Sequence, residues 1–343
     1  MHSKKLPIMF LSVLLLAGCG GKEEKEAIPA ASAPSAAVEK TATEADTPAS
    51  SAGSDSPVES GSGEPMPEDL LRQFAWHGRQ VAAKLAKSTP KQADGLYDEY
   101  SAMLDVYNED KPSESGILVR INDREKDVLD DYLSDKYWTD GGKPTALLKK
   151  RMKALADVQL EYWDMGEGIA VVRPVADYYL RLFGKYVTPD YRRYLELDAQ
   201  QAKDADTADG GLAFGWQKLA DRMAAWEDFL QHYPDSNLAP KARDKYLEYQ
   251  AWFFLGLDNS PTYSEDGGTL IGMGNGENDK IYGREYLQAR QDYAKKHPGS
   301  HTAKLLALTE GLNREQAKEA VIAYQQKHFG KTSLVSDQTP QGQ

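Results

Sequence analysis

Trp216, Leu219, Met223, Trp226, Leu230 and Tyr233 follow one another at steps of three and four residues. Only an α-helix gathers residues at that spacing onto one side, and an apolar side of this width needs a partner to cover it. Ala239, Ala242, Tyr246, Tyr249 and Phe253 step in the same way, as do Val175, Tyr178, Leu182, Phe183 and Tyr186. Leu148, Met152, Leu155, Gln159 and Tyr162 form a further stripe with one polar member. Alternation of period two, the mark of a half-buried strand, is scarce. The fold class these patterns predict is all-α.

About ten helices are expected from these stripes, near residues 67–87, 92–108, 117–136, 144–164, 174–186, 189–203, 213–232, 237–256, 282–296 and 301–329. The last is expected to split at Gly311-Leu312. Thr188-Pro189-Asp190 reads as an N-cap followed by proline at the first helical position, and Asn313 with Gln316 has the spacing of a capping box. The polar run from Lys203 to Gly211 is the best boundary in the chain. It suggests an N-terminal helical domain at 66–202, a linker at 203–212 and a second helical domain at 213–330, with a disordered tail at 331–343.

The second half contains a repeat. Asp228-Phe229-x-x-x-Tyr233-Pro234-x-Ser236-x-x-Ala239 aligns with Asp292-Tyr293-x-x-x-His297-Pro298-x-Ser300-x-x-Ala303, 64 residues later. The aromatic residue ends a first helix, the proline stops it, the serine is expected to cap the next, and the alanine lets the pair pack closely. The motif resembles the turn of tetratricopeptide-type repeats in bacterial envelope proteins, such as the helical-repeat lipoprotein of the outer-membrane β-barrel assembly complex. That resemblance covers residues 216–312 and implies stacked helical hairpins, an irregular TPR-like solenoid. The offset departs from the usual spacing of about 34 residues, because residues 258–282 intervene.

Cys19 is the only cysteine, so the body has no thiol for a disulfide, a zinc site or a nucleophile. Lys4 and Lys5 precede an apolar run from Leu6 to Ala17. The run is shorter than the roughly 20 residues of a membrane span and has the parts of a signal peptide. Leu16-Ala17-Gly18-Cys19 resembles the bacterial lipobox. The resemblance implies a signal peptide at 1–18 and acyl chains on Cys19, and hence a membrane anchor. Gly20 stands where inner-membrane lipoproteins of this kind favour Asp, which implies the outer membrane, on its periplasmic or its surface-exposed side. Residues 19–65 are Ala, Ser, Pro, Glu, Thr and Gly with almost nothing to bury, so a disordered tether is expected. As a coil it would span roughly 35–40 Å.

The formal charge is −12, and removal of Lys4 and Lys5 with the leader takes it to −14. A net-acidic chain argues against nucleic acid as a partner. The six histidines are scattered, and His297 and His301, the one pair four residues apart, flank a turn, so no metal or cofactor is expected beyond the lipid on Cys19. No Gly-x-Ser-x-Gly elbow occurs, and the Glu-Ser pairs at 59–60 and 114–115 lack the setting of a lytic transglycosylase. Nineteen tyrosines and six tryptophans at helical spacing are expected to pack helices together.

Two segments break the helical pattern and supply the candidate contact residues. Asp164 to Pro174 gathers Asp164, Glu167 and Arg173 around two glycines. It reads as a turn with Glu167 paired to Arg173 across a short extended stretch, or as a pocket edge with Glu167 as an acid. Asp258 to Lys280 is long, glycine-rich and acidic, with Asp258, Glu265, Asp266, Glu277 and Asp279. Loops of this length often carry function. Asn275, Glu277 and Asp279 mimic the start of a calcium loop, but Lys280 stands where the turn glycine belongs. The function expected is a non-catalytic helical scaffold that binds another envelope protein or peptide. The competing expectation is a peptidoglycan-active or small-ligand-binding lipoprotein with its site at Asp164–Arg173.

Overall fold

A computed structural model describes residues 65–133, 138–139, 141–166, 168–268, 270–273 and 277–334, the side chains of 131 and 277–282 excepted. The expected leader and Cys19 lie outside the described residues, as does all but the last residue of the expected tether. Within them the chain is mostly helical, in the order α1 (Leu70–Leu85), α2 (Pro90–Asp105), α3 (Ile117–Leu133), α4 (Ala146–Ala156), α5 (Tyr178–Phe183), α6 (Pro189–Gln201), α7 (Trp216–His232), α8 (Ala239–Leu255), α9 (Glu277–Lys296), α10 (His301–Leu308) and α11 (Arg314–Phe329). Capping explains where many of them begin. Asp69 caps α1, Thr89 and Gln92 form a capping box on α2, and Ser300 caps α10. Asn313 and Gln316 form the expected capping box on α11.

The all-α expectation holds only in this coarse form. Among the described residues, four antiparallel pairs of short strands lie between the helices: β1 (Trp138–Thr139) with β2 (Lys143–Pro144), β3 (Leu160–Gly166) with β4 (Ile169–Pro174), β5 (Thr207–Ala208) with β6 (Gly211–Leu212), and β7 (Gly256–Leu257) with β8 (Ser260–Pro261). The helix expected over 144–164 is the main correction. It stops at Ala156, Gln159 turns the chain with φ +64°, and Leu160 and Tyr162 are buried as alternate residues of β3. Met152, expected in the buried stripe, is exposed. The free edge of β4 lies on α3, where the amide of Asn122 takes the place of a strand. Its Nδ2 donates to Val172 O (2.9 Å) and its Oδ1 accepts from Val172 N (2.7 Å).

The two halves share one apolar core that runs without a break from Phe74 to Tyr324. Residues 203–212 carry structure of their own. Arg222, 6% exposed on α7, holds Asp206 and reaches Asp204 at 3.2 Å, and Tyr249 of α8 donates to Asp206 at 2.9 Å. At the C-terminal end Thr332 donates to Gln325 (2.8 Å) and Ser333 to Leu247 O (2.9 Å), so the first residues of the expected tail are tied down.

The repeated turns share a geometry. Phe229 and Tyr293 are buried, each ring packs on the aromatic four residues later (Tyr233 at 5.3 Å, His297 at 4.8 Å), and each serine amide donates to the carbonyl of that aromatic. The serine hydroxyls differ. Ser300 accepts from Ala303 N as expected (3.0 Å), whereas Ser236 lies two residues before the cap of α8 and donates to Asp190 of α6 (2.6 Å). Glu227 of α7 is 3% exposed and accepts from the Tyr293 hydroxyl (2.7 Å) and from the amide of His301, which opens α10. Glu285 of α9 accepts from Trp216 N (3.1 Å), which opens α7. Each of these helix starts is therefore held by a carboxylate from another helix, where the positive end of the dipole favours it.

The Asp190 link makes stability depend on pH. Burial acts to raise the carboxyl, but the hydroxyls of Ser236 and Thr188 and nearby backbone N–H groups outweigh it and hold it below the usual range. A carboxyl depressed in the folded state contributes stability above its unfolded value of about 3.9, and the contribution is lost as pH falls through the depressed value. Solvent screening keeps it under about 1 kcal/mol. Urea midpoints recorded between pH 6 and pH 3 should fall less steeply for Ser236→Ala than for the wild type. Parallel curves would count against the link.

Candidate functional site

The segment from Asp258 to Met273 is strapped to the helices. Gly256 makes the turn into it with φ +73°, where a Cβ would meet Ser260 O at 2.6 Å. Thr262 is buried and donates to Phe254 O (3.0 Å), Ile271 N returns to Thr262 O (2.9 Å), and Tyr263 bridges to Leu270. The Tyr263 hydroxyl is pushed up to about 12, chiefly by burial. Asp266 shapes the tip by accepting from Ser264 Oγ (2.7 Å) and Gly268 N (2.9 Å), contacts that hold its carboxyl below the usual range. Gly267 O then accepts from Arg314 N, at the start of α11 (2.8 Å).

Gly272 meets α9 at Gly283, and the two backbones touch there with no side chain between them. Between this strap, α9 and α10 lies a groove of about 470 Å³, within the usual range of ligand pockets. Leu270, Met273, Leu287, Leu306 and Leu312 line it, with Arg290 and Glu310 among its polar residues. Met273 is 70% exposed. The sequence pointed to the loop by its length. It did not point to Leu287 or Leu306, which look like ordinary residues of helical stripes, or to Leu312, which stands at the expected helix break.

The candidate residues do not converge on one centre. Asp164 is exposed and accepts from Gly166 N in its own turn (2.7 Å). Arg173 pairs with Glu161, its partner across the hairpin (2.9 Å); Glu167, the partner expected for it, lies outside the described residues. It also donates to Ala202 O (2.7 Å) and lies 3.3 Å over the Trp163 ring. Burial lowers its proton affinity and Glu161 opposes that. A guanidinium engaged on three sides braces β4 against the end of α6 and is not poised for acid–base work. Asp258 and Glu265 are exposed. Glu277 and Asp279 fall in the first turn of α9, and their side chains lie outside the described residues.

Two of the candidates do share an edge. A Cβ on Gly166 would lie 3.4 Å from Ala208 Cα, and one on Gly210 would lie 3.5 Å from Asn259 and 3.9 Å from Asp258. Asn259 N donates to Gly210 O (3.0 Å). The turns that carry Asp164 and Asp258 thus sit on either side of the β5–β6 turn. No protein family, no curated protein and no solved structure matches the chain.

Proposed function

We propose that the protein is a lipid-anchored envelope scaffold, acylated at Cys19 and held at the outer membrane, whose helical body binds a segment of another envelope protein without catalysis. The observation that carries this reading is the groove beneath residues 264–273, with apolar walls, solvent-facing Met273, and Arg290 and Glu310 offering charges of opposite sign. Such a trough suits a short apolar stretch of polypeptide flanked by polar residues. The shared geometry of the two Pro-x-Ser turns supports a stack of tetratricopeptide-like hairpins, an architecture that offers extended surfaces to partners. The short apolar run and the small residues before Cys19 support export and acylation. Several acyl chains hold a protein firmly, at about 0.8 kcal/mol per buried CH₂.

The test is in-cell crosslinking with a photo-reactive residue in place of Met273, set beside the same residue in place of Leu147, which is exposed on α4. One envelope protein captured from position 273, and not from position 147 or with Cys19→Ala, is the expected result. The same bulk lipoproteins captured from both positions would remove the scaffold reading.

A further inference from the structure

Residues 141–156 hold five cations, Lys143, Lys149, Lys150, Arg151 and Lys153, and no acid, in a chain whose formal charge is −12. Four of the five fall on α4. Thr145 caps this helix by accepting from Leu148 N (3.3 Å), and its buried residues are Leu148 and Leu155. That narrow stripe packs α4 against β2 and β3, and most of its circumference faces solvent. Arg151 is half-buried and donates to Glu125 of α3 (3.2 Å), while Lys153 reaches Asp157, just past the helix end (2.8 Å). Lys149 and Lys150 are exposed and make no ion pair among the described residues, and Lys143 makes none there either.

The exposed positions are ordered round the helix. Leu147, Lys150 and Ala154 follow at steps of three and four, and so do Ala146, Lys149, Lys153 and Ala156. These two rows form the outward face, opposite Leu148 and Leu155. It carries lysine heads over alanine along about 16 Å of helix. Leu147, 49% exposed, and Met152, 40% exposed, stand at its two edges. The negative charge of the whole chain does not decide what such a face meets. At physiological ionic strength exposed charges more than about 8 Å apart are largely screened. The local sign governs contact, and on α4 it is positive.

We propose that α4 lies on the surface of an anionic phospholipid bilayer, with Lys143, Lys149, Lys150 and Lys153 among the headgroup phosphates and Leu147 and Met152 at the boundary with the acyl chains. Clusters of basic residues on a helix take up anionic lipid in this way, and apolar edges suit the interface beneath the headgroups. The same face fits an acidic protein poorly. Protein interfaces are anchored by aromatic side chains and arginine in pockets and are depleted in lysine, whereas α4 offers lysine and alanine on a convex rod. The proposal rests on the anchored reading in one respect, that a bilayer lies within reach of the tether. Anchoring makes the contact intramolecular, so a weak one suffices.

Cys19→Ala removes the only cysteine. The full chain can then carry one environment-sensitive fluorophore, on Ala154→Cys within the lysine face or on Glu319→Cys, exposed on α11. Vesicles of phosphatidylcholine mixed with phosphatidylglycerol should shift the probe at 154 to the blue. Phosphatidylcholine alone should not, and neither should shift the probe at 319. Any affinity of residues 1–18 for lipid is common to both positions and cancels. Lys149→Glu combined with Lys150→Glu should weaken the contact at 154 on the order of 25-fold, at about fivefold per lysine. The urea midpoint should not change, because neither lysine has an ion pair to lose. No shift at 154, an equal shift with phosphatidylcholine alone or at 319, or a double variant that binds like its parent would overturn the proposal. So would an equal shift with poly-L-glutamate, which would assign the face to an acidic protein. The mass of the Cys19 peptide from the wild-type chain reports acylation separately. An unmodified Cys19 with a shift at 154 removes the anchor and keeps the contact; an acylated Cys19 without that shift does the reverse.

Discussion

Replacing Glu227 by alanine lowers the unfolding free energy by about 3–5 kcal/mol, read from urea denaturation at neutral pH. The carboxylate has no cation beside it among the described residues; it is held by the Tyr293 hydroxyl at 2.7 Å and the His301 amide. Removing it strands two buried donors at about 1–3 kcal/mol each and leaves a cavity as well. His301 is the first residue of α10, so the loss should concentrate there, with amide exchange in residues 301–308 rising more than in α1 or α2. A loss below about 1 kcal/mol would mean that water replaces the carboxylate and that the site is not closed.

Gly283→Ala should destabilise the chain although it puts a better helix former into a helix. At an ordinary helical glycine the change gains up to about 1 kcal/mol. Here the new Cβ would lie 2.2 Å from Gly272 N, 2.3 Å from Gly272 Cα and 2.8 Å from Ile271 C. These are backbone atoms and have no rotamer to retreat into. The strap must lift from α9, at a net cost of about 1–3 kcal/mol, and the groove loses the wall made by Leu270 and Met273. Limited proteolysis should then cut between residues 264 and 273 in the variant and spare the wild type. A variant as stable and as protease-resistant as the wild type would show that the strap does not rest on Gly283.

Much of the helical order was legible because the signals are local. The stripe from Trp216 to Trp226 and the capping box at Asn313 each specify a helix within a few residues. The β3–β4 hairpin was not, because Leu148, Leu155 and Tyr162 satisfy helical spacing while Leu160 and Tyr162 also satisfy alternation. Two things decide between them. One is the left-handed turn at Gln159, and the other is Asn122, fifty residues from the strand whose edge it completes. The groove was legible by half. An insert of unusual length marked one wall, while the other comes from residues 287, 306 and 312, which only the packing of α9 against α10 and the turn after it brings together.

The unbroken core also fixes how the chain can be divided. Residues 203–212 resemble a seam, yet cutting there would strip Trp226 of its bond to Gln201 (2.8 Å), leave the Arg222 guanidinium without its acids, and bare the facing sides of α6 and α7. Neither fragment would keep a closed surface. For anyone shortening this protein for expression or fusion, the described residues offer no joint at 203–212, and a cut ahead of Pro67 keeps the Asp69 cap of α1.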